Sequence, residues 1–220
     1  IEIINTELVL ADLQTLQKVL PRLEKEARAN PKLRDKATIA SRVLQHLDAG
    51  EPINGSEELR VKSVELKELN LLTAKPIIYL FNVDEDTLAD EQKQNKLAQL
   101  VAPNGVLFVN AKLEDELRSL DEAERTEMLA EYGVQESGLV QLIHAAYETL
   151  GLQSYLTAGE KEVRAWTIKK GATAPQAAGV IHGDFERGFI AADVVDYADL
   201  IATGSLAAAR AVGKVRTEGK

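Results

Sequence analysis

The sequence contains no cysteine, and this absence removes several classes of site. Without a thiol the chain can form neither a disulfide nor a thiolate metal site, and it has no cysteine nucleophile. The only histidines are His46, His144 and His182, which are too scattered along the chain to suggest a metal cluster. We therefore assign no metal-binding residue.

Long apolar runs are also missing. None approaches the roughly 20 residues that a membrane-spanning helix needs, and no signal peptide is visible. Aromatic residues make up only 5% of the chain, so aliphatic side chains must dominate the core. With 45% hydrophobic and 28% charged residues, the composition is ordinary for a soluble globular protein. We expect a cytoplasmic protein with no membrane partner.

The familiar catalytic motifs do not occur. The phosphate loop GxxxxGK[ST] is absent, because Val215 follows Gly213-Lys214 where Ser or Thr is needed. The motifs GxGxxG, HExxH and GxSxG are absent as well. His182, Asp184 and Arg187 suggest a catalytic group, but no nucleophile is beside them, and a hydrogen-bonded turn is the preferred interpretation. We therefore assign no catalytic residue.

Acidic residues exceed basic ones, but unevenly. Residues 1–150 carry 17 basic and 27 acidic side chains (−10), whereas residues 151–220 carry 9 basic and 8 acidic (+1). The net charge of −9 argues against a whole surface that binds nucleic acid. The asymmetry suggests two units with different partners.

Two apolar stripes at helical spacing open the chain. The first predicts a helix over residues 4–29, which Pro21 should kink or interrupt. Asn30-Pro31 ends it, and the second stripe predicts a helix from about 32 to 49. Together they predict an antiparallel helical hairpin, either a projecting arm that contacts a partner or two helices of a bundle core. The stripes are Val9, Leu13, Leu16, Leu20, Leu23 and Ala27, then Leu33, Ala37, Ala40, Leu44 and Leu47.

A βαβ unit follows. Residues 77–81 form a short apolar run that predicts a buried strand, a helix is expected from about 87 to 101, and a second buried strand is expected over 106–109. The carboxyl ends of parallel strands share one edge of a sheet, where ligands bind in open α/β folds. That edge would hold Asn82 and Glu85 beside Asn110 and Ala111. Their amide and carboxylate groups suit a purine edge, although an acidic turn is the simpler alternative.

The rest of the chain has weaker patterns. Residues 113–118 and 121–132 predict acidic, solvated helices, and residues 139–150 predict a helix with one buried face. A small α+β unit should follow, with strands at 163–168 and 189–195 and helices at 176–181 and 205–213.

Three stretches resemble the Obg-like ATPase family, in its bacterial YchF branch. Residues 1–8 resemble the family's entry into an inserted helical arm. Asn82-Val83-Asp84-Glu85 matches the family's NxxE, which stands where ordinary GTPases have NKxD. The third and most specific stretch resembles the TGS domain, a ubiquitin-like β-grasp unit; it comprises residues 157–159, 162–168, 174–179, 181–182, 184–186 and 188–190.

The resemblance implies a fold class and three domains. The fold would be the α/β nucleotide-binding portion of a P-loop NTPase with an inserted antiparallel helical arm, plus a small α+β β-grasp (TGS) domain. The arm would span residues 1–70, the end of the nucleotide-binding domain 71–150, and the TGS domain 151–220 without its last strand. The chain begins at Ile1 rather than Met, and we expect a piece of a longer protein, with the phosphate loop before Ile1 and the last TGS strand after Lys220.

The resemblance also implies a function. Such proteins associate with ribosomes and hydrolyse ATP in preference to GTP. The expected cofactors are ATP and Mg²⁺, whose ligands would lie outside this chain, and the chain should not hydrolyse nucleotide alone. The expected base-binding residues are Asn82, Val83 and Glu85 in one loop and Asn110, Ala111 and Lys112 in the other. Val83 and Glu85 replace the Lys and Asp that recognise guanine, which favours adenine, with the Asn82 amide oxygen facing its amino group.

The partner implied is the ribosome, with its large subunit as the expected site. RNA would be contacted through the arm and the TGS domain, where Arg164, Lys169 and Lys170 are the candidate cations. Two alternatives stay open: a non-catalytic adaptor that binds the ribosome or RNA, and a fragment of a GTPase.

Overall fold

The computed structural model describes residues 1–159 and 162–219. The chain divides into two compact units, Ile1–Gln135 and Glu136–Lys220. Among the described residues, no helix combines the length and the apolar character that crossing a bilayer requires.

The first unit opens with the predicted helical hairpin. Helix α1 spans Glu2–Ala29, a 3-10 turn covers Pro31–Leu33, and helix α2 spans Arg34–Asp48. The Asn30 side chain caps the turn by accepting a hydrogen bond from the Lys32 amide at 3.1 Å. The predicted stripes form the seam, with Leu13, Leu33 and Leu44 only partly buried. Two seam residues were not predicted, Val43 and the carboxylate of Asp12.

Helix α1 runs through Pro21 without interruption, so of the two predicted effects, a kink or an interruption, the interruption is wrong. Proline removes one backbone donor and leaves the carbonyl four residues earlier without its partner. Both Pro21 and Gln17 face solvent, where water can satisfy the Gln17 carbonyl. The buried leucines on either side, Leu20 and Leu23, hold the helix against its neighbour.

A folded connection leads from the hairpin to the sheet. It contains a 3-10 turn at Ile53–Gly55, helix α3 at Glu57–Lys62 and a second 3-10 segment at Ser63–Leu69. Ile53 and Leu66 are buried in the same core as the hairpin seam. The connection therefore covers the hairpin and brings the chain to the first strand.

The βαβ unit is present, with shifted boundaries. Strand β1 (Ile78–Asn82) pairs in parallel with strand β2 (Gly105–Val109). The single predicted helix is instead two, α4 (Glu85–Leu88) and α5 (Glu91–Gln99). The Asp90 side chain causes the break, because it accepts hydrogen bonds from the Gln92 and Lys93 amides and so starts a new helix.

The strands are less buried than their apolar sequences predicted. Leu80 of β1 is 47% exposed, and no residue of β1 is fully buried. Among the described residues the sheet has only these two strands. A two-stranded sheet covers little of its own surface, which accounts for the difference.

Helices α6 (Ala111–Leu117) and α7 (Glu122–Glu131) complete the unit. They were expected to be solvated, but Leu113, Leu117 and Leu129 form a small buried core between them. Leu88 of α4 packs against this core. The acidic residues occupy the outer faces. Because they are so numerous, the helical spacing of the few leucines was overlooked in the sequence.

The second unit starts with helix α8 (Gly138–Thr149), which the Ser137 side chain caps. Strands β3 (Leu152–Ala158) and β4 (Val163–Lys169) then pair antiparallel. Strand β3 was not predicted. The Tyr155 hydroxyl of β3 donates to the Ala177 carbonyl at 2.9 Å, which ties the strand pair to the next helix.

The remaining elements are short. They are α9 (Ala174–Ile181), α10 (Gly183–Arg187), β5 (Ala191–Val194), α11 (Tyr197–Thr203), α12 (Leu206–Ala211) and β6 (Arg216–Gly219). Strand β6 pairs antiparallel with β5. Helix α9 packs closely on α10 through Gly179, where a Cβ atom would lie 3.0 Å from the Cβ of Glu186. The division into arm, nucleotide-binding domain and TGS domain stays a prediction.

Candidate functional site

The parallel pairing of β1 and β2 brings the two predicted loops together. Asn82 lies opposite Val109 in the register, so the segments that follow both strands leave the same edge of the sheet. The Val83 amide donates to the Val109 carbonyl at 2.8 Å, which continues the pairing one residue past β1. Phe81 and Phe108 stack with ring centroids 5.7 Å apart just before the edge.

Asn82 braces the two loops. Its side-chain oxygen accepts a hydrogen bond from the backbone amide of Ala111 at 3.0 Å. This is a direct link between the first loop and the second. An amide oxygen has two lone pairs, so the predicted contact with an adenine amino group would have to use the remaining one.

Glu85 and Lys112 form an ion pair across the loops. The Lys112 Nζ lies 3.4 Å from the Glu85 Oε1 and 3.8 Å from the Glu116 Oε1. The Glu85 carboxylate raises the pKa of Lys112 above its ordinary value. The Glu85 side chain is 49% exposed and that of Lys112 73%, so both groups can be reached by a ligand.

Asn110 has a different role from Asn82. It is buried, and its side-chain oxygen accepts a hydrogen bond from the Leu113 amide at 3.0 Å, which caps α6. Asp84 does the same for α4 through the Thr87 amide at 2.9 Å. Hydrogen bonding from Thr87, through its side chain first and its backbone amide second, holds the pKa of Asp84 below its usual value. Each loop is therefore fixed by its own helix start.

One buried carboxylate supports this region from the hairpin. Asp12 in α1 accepts hydrogen bonds from the amides of Leu72 and Thr73 and from the Thr73 hydroxyl, each at 2.7 Å. Leu72 and Thr73 lie a few residues before β1. Sequence reasoning missed this link, although an aspartate between Val9 and Leu16 on an apolar helix face was a usable signal.

His182, Asp184 and Arg187 form a hydrogen-bonded turn, which is the interpretation that the sequence favoured over a catalytic group. The His182 Nδ1 accepts from the Asp184 amide at 3.2 Å and caps α10, and Arg187 pairs with Asp184. All three side chains are exposed. Within residues 1–159 and 162–219, no three histidine, aspartate or glutamate side chains cluster as metal ligands would.

Two of the three candidate RNA-binding cations of the second unit already contact other groups of the chain. The Arg164 guanidinium lies 4.2 Å from the ring centroid of Trp166, and Lys169 donates to the Leu150 carbonyl at 2.9 Å. Lys170 lines a shallow groove with Tyr147 of α8. Hydrogen bonds from Ser154 and Thr167 lower the pKa of the Tyr147 hydroxyl. The structure does not gather the three cations into one cluster with shared partners.

Two adjacent parallel strands whose carboxyl ends carry polar loops, joined through helices, are typical of α/β nucleotide-binding proteins. Comparison with known proteins agrees with this class of fold. A family model described as "YchF-GTPase_C: Protein of unknown function (DUF933)" matches residues 152–220. A solved structure, that of the Schizosaccharomyces pombe YchF GTPase, superposes with a TM-score of 0.82 and 34% identity, covering 99% of this chain and 61% of that one.

Curated relatives match over the whole chain. The "Ribosome-binding ATPase YchF" of Bacillus subtilis is 46% identical, and that of Escherichia coli O157:H7 is 40% identical. The match covers 100% of this chain in both cases, and 62% and 61% of the respective relatives. The whole chain is therefore similar to part of the YchF proteins, and the resemblance seen in the sequence is confirmed. It spans a little under two thirds of the length of these relatives.

Proposed function

We propose that this chain is part of a YchF-type, ribosome-associated ATPase, and that it supplies the recognition of the base. Residues 1–70, which contain the helical hairpin from Glu2 to Asp48, are assigned as the inserted arm of the nucleotide-binding domain. Residues 71–150 are assigned as the end of that domain and residues 151–220 as the TGS domain. The expected location is the cytoplasm.

The observation that carries this proposal is the pair of braced loops. The Asn82–Ala111 hydrogen bond and the Glu85–Lys112 ion pair join the segments after β1 and β2 into one surface. The backbone of Val83 and Ala111 is part of this surface, with the Val83 amide donating to Val109 and the Ala111 amide to Asn82. A planar base could rest there between the two loops, with the Asn82 amide and the ion pair at its edges.

The residue types favour adenine over guanine. In the NKxD arrangement, the terminal Asp accepts two hydrogen bonds from guanine and the Lys packs along the base. Here Val83 cannot take the part of that Lys, and Glu85 is one methylene longer than Asp and is already engaged by Lys112. A site that depends on paired hydrogen bonds discriminates strongly when their geometry fails.

The donors present suit a base but not a triphosphate or its metal ion. Lys112 is the only cation among the six predicted residues, and it is shared between Glu85 and Glu116. The sequence contains no phosphate loop. When bound, Mg²⁺ and the phosphates would be held by residues outside this set, and the chain alone is expected not to hydrolyse ATP, since those contacts supply most of the transition-state stabilisation.

The names of the relatives give information about the partner and about the nucleotide base. Both curated relatives are called ribosome-binding ATPases, whereas the solved relative is called a GTPase. We propose ribosome association for this chain, with the large subunit as the expected site. A non-catalytic adaptor would also bind ribosomes, so nucleotide selection is the property that separates the two functions.

The test changes the base-reading residues in a longer protein that joins this chain to a phosphate-loop region. The double substitution Val83→Lys with Glu85→Asp should shift the ATP:GTP affinity ratio toward GTP by about tenfold or more, because it restores the side chains that pair with guanine. Competition binding of labelled ATP measures the ratio. The matched control is Glu91→Asp at the start of α5, which should leave the ratio unchanged. If the double variant keeps the original ratio, the base is selected elsewhere.

A further inference from the structure

A groove of 610 Å³ lies between helix α8 and strand β3, within the second unit. Ile143 and Tyr147 line it from one face of α8, and Leu152 and Ser154 line it from β3. A volume of this size is in the range that holds a drug-sized ligand, which is larger than a single amino acid. The groove therefore has room for a short segment of peptide.

Three hydroxyl groups meet at this groove. Ser154 and Thr167 lie opposite each other in the pairing of β3 with β4, and the Tyr147 hydroxyl bridges them. It accepts a hydrogen bond from Ser154 at 3.3 Å and lies 3.1 Å from the Thr167 Oγ1. The three groups carry three protons, and these two hydrogen bonds use two, so the cluster keeps one proton to donate to a ligand. When Thr167 donates as Ser154 does, that proton belongs to Tyr147.

Lys170 brings a positive charge to the same groove. Its backbone amide donates to the Gly151 carbonyl at 2.8 Å, which holds the residue next to the end of α8. The neighbouring Lys169 is engaged by the Leu150 carbonyl. The Lys170 ammonium, in contrast, is exposed and has no ion pair in the part of the chain that the structure describes. An ammonium beside a hydroxyl donor is a suitable site for a carboxylate.

Glu148 makes the groove unsuitable for a simple anion. It lines the groove one helical turn after His144, and no ion pair of its carboxylate occurs among the described residues. A carboxylate repels inorganic phosphate, but it accepts hydrogen bonds from N–H groups. A peptide has a backbone N–H close to its terminal carboxylate, so it can satisfy both charges of the groove at once.

Ile143 and Leu152 add an apolar wall. Ile143 is 47% exposed, so much of its surface is open to a ligand. It lies four residues before Tyr147 on α8, which is about 6 Å along the helix axis. A carboxylate held at the Tyr147 hydroxyl therefore leaves the side chain of the last peptide residue within reach of this wall. Covering the wall with an apolar side chain would remove both surfaces from water.

We propose that this groove binds the C-terminus of a peptide that ends in an apolar residue. Lys170 and the Tyr147 hydroxyl hold the terminal carboxylate. The last side chain contacts Ile143 and Leu152, and the last backbone amide donates to Glu148. The occupant is the C-terminal segment of a protein partner. The site uses residues of the second unit alone, and it requires neither a nucleotide nor RNA.

The experiment measures binding of the 220-residue chain to labelled pentapeptides by fluorescence anisotropy. One peptide ends in leucine with a free carboxylate, and its matched control is the same peptide with an amidated C-terminus. The free peptide should bind about tenfold tighter or more, because amidation removes the charge that Lys170 and Tyr147 bind. A third peptide, which ends in glycine, should bind about fivefold weaker than the leucine peptide, because it leaves the apolar wall uncovered.

Two substitutions locate the site on the chain. Lys170→Gln should weaken binding of the free peptide about tenfold and leave that of the amidated peptide unchanged. Lys18→Gln in α1 is the matched control, since it removes the same charge from another exposed position. Tyr147→Phe keeps the ring and should weaken binding of the free peptide about fivefold. Tyr197→Phe, at an exposed position of α11, should leave it unchanged.

Equal affinity for the free and the amidated peptide would overturn the proposal, and this comparison uses the unaltered chain, so it does not depend on how a variant folds. The proposal also fails if the unaltered chain binds neither peptide, or if Lys170→Gln and Lys18→Gln lose the same affinity. Competition by phosphate as effective as that by unlabelled peptide would indicate a general anion site. Equally effective competition by free leucine would indicate a site for a single amino acid. Either result contradicts a peptide C-terminus as the occupant.

Discussion

Asp12 shows how one carboxylate can organise a segment that has no regular structure. It is only 2% exposed, yet both of its oxygens are used, by the amides of Leu72 and Thr73 and by the Thr73 hydroxyl. A buried donor that has no acceptor lowers the stability of the fold. The Asp12 carboxylate prevents this loss for three donors. It fixes the chain just before the strand that leads to the candidate base-binding loop.

Replacing Asp12 with alanine should therefore destabilise the first unit by about 3 kcal/mol, because three donors lose their acceptor. The midpoint of urea unfolding, followed by circular dichroism, measures this. The amides of Leu72 and Thr73 should also exchange with solvent faster. Asp48→Asn, at the exposed end of α2, is the control and should change stability by less than about 0.5 kcal/mol. Equal midpoints for the two variants would show that the link to Asp12 is dispensable.

The two asparagines of the candidate site mark the limit of what the sequence predicts. Both lie at the end of a strand, and the sequence placed both at one sheet edge, as the register has it. Their tasks differ, because Asn82 reaches across to Ala111 whereas Asn110 caps its own helix. The residue type is the same in the two cases, and both apolar runs end at an asparagine. Only the three-dimensional neighbours decide which atom is used and for what.

The helical hairpin is the element that the sequence predicted best. Its periodicity extends over many turns, and every buried position except Asp12 carries an apolar side chain. The stripe also distinguishes the buried leucines of one helix from its exposed leucines. Leu16 is 0% exposed in the seam, whereas Leu10 of the same helix is 48% exposed.

This contrast gives a matched pair of substitutions. Leu16→Ala should destabilise the first unit by about 3 kcal/mol, because it leaves a cavity in a closed seam. Leu10→Ala makes the same chemical change on the surface and should cost less than about 0.5 kcal/mol. Thermal unfolding followed by circular dichroism compares them. Similar losses for both would mean that the hairpin does not pack through the seam described here.

Short elements were predicted least well, for a physical reason. Strand β6 has the sequence Arg-Thr-Glu-Gly, which carries no apolar residue, and it forms because β5 offers it a partner. Strand β3 is likewise defined by its pairing with β4. Similarly, the break between α4 and α5 depends on one capping side chain, Asp90. Such elements depend on a single partner or cap, and the sequence contains no repeated apolar pattern from which they could be predicted.

Charge organises the molecule as a whole. The chain has a net charge of −9, whereas residues 21–45 of the hairpin carry a net charge of +4. The candidate base site uses few charges, and its one lysine is balanced by two glutamates. A candidate base site with few charges and a basic hairpin segment therefore lie within the same unit.

The central claim is that the loops after β1 and β2 receive the base of ATP. Nuclear magnetic resonance of the longer protein with the phosphate-loop region tests it most directly, by mapping amide shifts on addition of ATP or GTP. The amides of Val83, Ala111 and Lys112 should shift with ATP, and GTP should produce the same shifts only at much higher concentration. If ATP binds while these three amides stay unmoved, the base lies elsewhere and the assignment is wrong.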